Sequence, residues 1–183
     1  MATATNVSVG KPKVAGAIYV APAGTALPAD ASTNLAETFV SLGYISDAGV
    51  VNSENNETTS VKAWGGDTVL SALTGREDTW KMTFIEALNL DLLKEIYGSE
   101  NVTGTLTTGI KVSAKAQERT AKVWVIEMIL TDGALKRVVL PSGKITEIAD
   151  VTYTDADAIG YEVTILAQPD STGVTHYEHI KKA

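Results

Sequence analysis

Lys122-Val123-Trp124-Val125-Ile126-Glu127-Met128-Ile129-Leu130 runs straight into Thr131-Asp132-Gly133. Only Glu127 breaks the apolar run, so the segment has no wet face and reads as a central strand covered on both sides. Asp-Gly directly after such a run is a strong hairpin signal, because a tight return needs residues that tolerate positive φ. Leu135 to Leu140 is the return strand, Pro141-Ser142-Gly143 a second tight turn, and Lys144 to Tyr153 a third strand. Thr154 to Asp157 then turn the chain into a segment where Ile159, Tyr161, Val163, Ile165 and Ala167 alternate with Gly160, Glu162, Thr164 and Gln168. Alternation with period two marks a strand buried on one face. Four consecutive strands with short connections make an antiparallel meander.

Outward from the meander the pattern is less regular. Val14 to Val20 reads as a strand and Ala21 to Leu35 as a loop. Val40 to Ile45, Val61 to Trp64, Asp67 to Ala72, Trp80 to Ile85 and Leu106 to Val112 are further strand candidates. One helix is expected. Asn89 is placed to cap it, Asp91 sits favourably in its first turn, Leu92, Leu93, Ile96 and Tyr97 form its apolar stripe, and Gly98 ends it. Two antiparallel sheets with one short flanking helix make a mainly β, α+β sandwich or barrel.

The segment from about 47 to 78 resists this scheme. It is long and polar, with Asn52, Asn55 and Asn56 among its residues, and reads as a functional or a disordered connection. Val61, Trp64, Val69 and Leu70 are embedded in it, and apolar residues on such a loop point to a surface awaiting a partner.

Composition bounds the rest. The 183 residues, 44% hydrophobic and 20% charged, suit one domain spanning 1–183. The apolar runs are too short to cross a bilayer as helices, and the first residues lack the basic start and apolar run of a secretory signal. With no cysteine there is no disulfide, thiolate metal site or cysteine nucleophile. A net charge of −7, with the acids scattered, disfavours direct nucleic-acid binding, which needs Lys and Arg gathered on one face.

Chemical motifs are lacking. His176 and His179, read as surface residues of the last strand, point to opposite faces there and share no metal. Asp155-Ala156-Asp157 with Gly160 lacks the remaining ligands of a calcium loop and reads as a turn. Phosphate-binding glycine loops and nucleophile elbows are missing. Trp80 and Trp124 lie in apolar strands and read as core, whereas Trp64 is open between core and a stacking surface. No catalytic residue, cofactor or metal is expected.

Several strings, taken in order, carry a resemblance. They are Ala17-Ile18-Tyr19-Val20-Ala21-Pro22-Ala23-Gly24-Thr25, Phe39-Val40-Ser41-Leu42-Gly43-Tyr44-Ile45-Ser46, Lys62-Ala63-Trp64-Gly65-Gly66 and Leu90-Asp91-Leu92-Leu93-Lys94 with Tyr97-Gly98. Arg137-Val138-Val139-Leu140-Pro141-Ser142-Gly143-Lys144, Ile159-Gly160-Tyr161-Glu162-Val163 and His176-Tyr177-Glu178 follow. From about residue 14 to 180 the chain resembles the tail tube (major tail) proteins of siphophages of Gram-positive hosts. The ordered set carries the resemblance, not any one string.

That resemblance implies a two-sheet sandwich with a flanking helix, six copies of which form a ring whose inner sheets join edge to edge, with rings stacked into a tube. It implies an N-terminal arm (1–13) and an inter-subunit loop (about 47–78) carrying Asn52, Asn55, Asn56, Val61, Trp64, Val69 and Leu70. Glu162 and Thr164 become candidates for the lumen. The implied partners are further copies of the chain, a tape measure protein, and tail terminator and distal tail proteins. DNA passes through unheld, no membrane is involved, and the protein, made in the host cytoplasm, ends in the virion tail. Two alternatives stand beside it: another tube or terminator part of a virion or injection machine, and a glycan-binding β-sandwich with Trp64 and Tyr44 exposed.

Overall fold

A computed structural model describes residues 2–13 and 16–182. Its elements are β1 (Lys11–Pro12), β2 (Ile18–Ala21), β3 (Val40–Ser41), β4 (Ile45–Lys62), β5 (Thr68–Phe84), α1 (Leu90–Tyr97), β6 (Val102–Thr103), β7 (Lys111–Val112), β8 (Lys122–Ile129), β9 (Leu135–Ile148), β10 (Tyr161–Ala167) and β11 (Tyr177–Lys181). The expected first strand is shorter than its reading; Val14 and Ala15 lie outside the described residues. The expected strand over Leu106 to Val112 reduces to β7, which pairs with β6.

All pairings among the described residues are antiparallel. The main sheet runs β3-β2-β8-β9-β10-β5-β4, with β1 beside β8 and β11 beside β9. Strand β9 joins two half-sheets. Its first residues lie between β8 and β11, whereas from Gly143 onward it pairs with β10. The two sheets expected from the sequence are therefore halves of one hydrogen-bonded sheet bent around a shared core. Ile18 and Val20 (β2), Trp124 and Ile126 (β8), Val138 and Leu140 (β9) face Trp80, Met82 and Phe84 (β5) and Tyr161, Val163 and Ile165 (β10) within it.

Strand β8 is covered on both faces, as its nearly continuous apolar run predicts. Val123 and Val125 point away from that core into a second cluster with Ala21, Phe39 and Val139, closed by Leu35 and Tyr177. Glu127, the one charge in the run, is buried against the Arg137 guanidinium. Arg137 also donates to the carbonyls of Asp30 (2.6 Å) and Thr33 (2.8 Å), pinning the 22–39 loop over that face.

The meander has three strands rather than four. Asp132 and Gly133 turn the chain with positive φ, as read, but Pro141-Ser142-Gly143 stays within β9. Pro141 sits in the gap between the β11 ladder, which ends at Val139, and the β10 ladder, which starts at Gly143. The β8 register shifts there too, so the missing N–H leaves no ladder bond broken. Gly143 serves close packing: a Cβ there would lie 2.5 Å from the Trp124 ring, whose Nε1 donates to the Gly143 carbonyl at 3.0 Å.

Helix α1 is built as read. The Asn89 side chain accepts from the Asp91 and Leu92 amides at 3.0 and 3.2 Å, and Gly98 ends the helix at φ 92°. Leu92, Leu93 and Ile96 are buried in the main core. Arg119 donates to the carbonyls of Glu95 and Ile96, filling orphan acceptors at the C-terminus.

Candidate assembly surface

The expected polar connection from 47 to 78 is instead the distal part of the β4–β5 hairpin, two strands of 18 and 17 residues. Every residue from 51 to 74 is exposed. Only the root of the hairpin belongs to the body: β10 pairs β5 from Phe84 to Thr79 and stops there. Beyond Glu54↔Asp78 the ladder continues to Lys62↔Thr68, over residues 55–62 of β4 and 68–77 of β5, with register shifts that leave Thr74 and Val69 unpaired; at roughly 3.4 Å per β4 residue this is about 27 Å. A bare two-stranded ribbon is marginal in water; here it grows from strands already fixed in a core. Ala63 to Asp67 close the tip, with Gly65 and Gly66 at positive φ and the Ala63 N–H donating to the Asp67 carbonyl.

The arm carries apolar side chains that remain exposed. Val61 stands opposite Leu70, Val69 sits at the register shift beside them, and Trp64 is wholly exposed in the tip turn. Leu73 and Val51, which the sequence reading passed over, are exposed as well. Their signal was the strand period itself, hidden because neither face of the ribbon is buried.

Two sheet edges are also open. Among the described residues, strand β4 is paired only by β5. On β9, β8 pairs only as far as Gly143, so residues 144–148 have a strand partner on the β10 side alone among the described residues. Between these edges lie four strands: β9, β10, β5 and β4. Their outward face is polar, with Glu147, Thr164, Lys81 and Val51 in one cross-strand row and Lys144, Leu166, Thr79 and Ser53 in the next. Glu162 lies here, ion-paired to Lys81 at 2.7 Å, and that carboxylate raises the lysine's pKa. Thr164 is between Lys81 and Glu147.

Residues 5–183 match the family model described as "Phage tail tube protein". The chain belongs to that family. Tail tube proteins are structural components of the phage tail, not enzymes. Two solved structures are similar to this tail tube protein. One is the tube-terminating cap of the anti-feeding prophage, 11% identical over the whole of both chains with a TM-score of 0.46. The other comes from the sheath–tube complex of an extracellular contractile injection system, PVC, in its extended state. It is 9% identical over 92% of this chain and 91% of that one, also with a TM-score of 0.46. No curated protein matches the chain.

The structure brings Val61, Trp64, Val69 and Leu70 together at the far end of the tail tube protein's arm, apart from Glu162 and Thr164 on the open face of the body. Asn55 and Asn56 lie along the arm opposite Glu77 and Arg76, on alternate faces. Asn52 is at the root, where its amide donates to Asp78 at 2.7 Å. His176, expected on the surface, precedes β11 and is largely buried; its Nδ1 lies 2.6 Å from Asp78 and its ring stands edge-on to Trp80. Burial of Asp78 opposes its ionisation, but hydrogen bonds from Thr175, His176 and Asn52 outweigh this and hold its carboxyl below the usual range.

Proposed function

We propose that this tail tube protein assembles into rings of six that stack into the channel through which a phage genome is delivered. In each ring the β4 edge of one copy pairs with the free edge of β9 residues 144–148 on the next. The observation that carries this reading is the four-stranded half-sheet with both borders open. Because β9, β10, β5 and β4 alternate in direction, β4 of one copy runs antiparallel to β9 of its neighbour. Four strands per copy is an even number, so the alternation survives around a closed ring, and closure removes the exposed edges.

Within such rings the polar face, including Glu162 and Thr164, lines the bore. Its charges balance, Glu147 and Glu162 against Lys81 and Lys144, among short Thr and Ser side chains. DNA then slides because no surplus of Lys and Arg holds the phosphates. The arm, with Asn55, Asn56, Val61, Trp64, Val69 and Leu70, docks on the adjoining ring, and the segment 1–13 contributes further contacts. A tape measure protein occupies the bore during assembly, and terminator and distal tail proteins close the ends.

The native chain has no cysteine, so oxidative cross-linking has no background. Single cysteines at Val51 or Ser53 on β4, combined with one at Thr146 or Glu147 on β9, should yield covalent ladders ending at six. If electron microscopy shows tubes but none of these pairs links, the edge assignment is wrong. If concentrated protein forms neither rings nor tubes, the assembly reading fails.

A further inference from the structure

The root of the arm holds a polar cluster that tube formation by sheet edges does not require. Asp78 stands on β5 at the level where the buried strand becomes the exposed ribbon, and only 1% of it reaches solvent. Its Oδ1 accepts from Asn52 of β4 at 2.7 Å. Its Oδ2 accepts from the Thr175 hydroxyl at 2.7 Å and lies 2.6 Å from His176 Nδ1. The His176 Nε2 faces Glu54 at 4.0 Å, and Glu54 pairs with Arg76 at 2.7 Å.

Beyond this cluster the arm has only itself. Among the described residues, the side-chain hydrogen bonds and ion pairs of residues 53–77 run between β4 and β5, apart from the Glu54–His176 approach. The segment just ahead of β11, nearly a hundred residues away in sequence, therefore supplies the last outside grip on the arm. Burying a carboxylate is unfavourable unless its lone pairs are met, and a leucine at this position would seal the core without directing anything. Three donors from two different segments, converging on one carboxylate, fix an angle.

We propose that Asp78 is the positioning residue of the arm, tying its root to Thr175 and His176 so that its direction is set before a neighbour is met. The inference rests on reading the arm as the docking element. A pre-aimed arm loses less freedom on docking than a swinging one, so the latch lowers the concentration at which tubes grow. It also couples the arm to the seat of β11: a subunit whose last strand is displaced loses its aim.

The test uses the full chain with cysteines at Asp67 in the tip and Glu37 on the body, spin-labelled and kept below the concentration of assembly. The unaltered root should give one narrow distance distribution. Asp78→Ala should at least double its width while circular dichroism remains native, and should raise the critical concentration for tubes about tenfold. Asp78→Asn keeps one acceptor and should fall between. Should Asp78→Ala fail to fold, Asn52→Ala removes one exposed donor and should broaden the distribution by a smaller factor. A distribution that stays narrow in every folded variant overturns the latch. Broadening with unchanged tube growth upholds the latch and refutes docking through the arm. If the parent chain makes no tubes at all, the proposed assembly fails while the width still decides the latch.

Discussion

Trp64→Ala separates folding from assembly most cleanly. The side chain is wholly exposed at the arm tip and packs on nothing in its own subunit. Its removal should shift the midpoint of urea unfolding of the isolated subunit by less than about 0.5 kcal/mol in free energy. In a tube the same side chain has about 150–250 Å² to bury, which at about 25 cal/mol per Å² sets a ceiling of about 4–6 kcal/mol. Truncated interface anchors commonly cost about 2–4 kcal/mol. Taking about 2–3 kcal/mol per docked arm, and tenfold per about 1.4 kcal/mol, the critical concentration for tube growth should rise about 30- to 150-fold. Pelleting the polymer and measuring the protein left in the supernatant reads this directly. An unchanged supernatant concentration would refute docking through the tip. A subunit weakened by more than about 1 kcal/mol would show that Trp64 packs at home instead.

Other sites give sharper tests of the body. Gly143→Ala drives a methyl to 2.5 Å from Trp124 and 2.9 Å from Ile165 and should cost at least about 1–3 kcal/mol in chemical denaturation; a neutral result would mean that β9 shifts freely. Asn89→Ala removes the acceptor for two amides at the start of α1 and should cost about 1 kcal/mol, read as a lower Tm. The Asp78 carboxyl lies below its usual value of 3.8 when folded, so its stabilisation is complete above that pH and is lost as pH falls through the folded value. Acid titration of Asp78→Asn should show less steepening below pH 3.8 than the parent chain; equal slopes would remove Asp78 from the acid transition. Glu162→Lys breaks the pair with Lys81 and tips the polar face positive; tubes should form, but genome release, followed by dye uptake on released DNA, should slow. Equal release rates would remove that face from the bore.

Segments that bury one face, or both, were readable from the residues alone. Tyr161 to Ile165 alternates in burial as it alternates in polarity, Trp124 sits in the core, and α1 begins and ends at the cap and glycine that its sequence offers. The arm escaped the same logic because period two needs contrast between faces, and residues 51–74 have two wet ones. Near-equal Thr- and Val-bearing runs either side of Trp64-Gly65-Gly66 were the available sign of a hairpin. Pro141-Ser142-Gly143 misled for a different reason. Turn chemistry is local, whereas the gap that accommodates Pro141 and the indole that demands Gly143 come from distant strands. His176 likewise owes its burial to Asp78 and Trp80, residues that no local pattern connects to it.

The same two strands continue from the middle of the sheet to the tip of the arm, their pairing shifted in register at Ile45/Val50, Glu57/Thr58 and Val61/Lys62. A tug on the tip along the ribbon is carried as shear shared by many backbone bonds instead of bending at one place. In the proposed stack, each subunit would then act as a spoke that hands strain applied at one end to the interior of the next molecule.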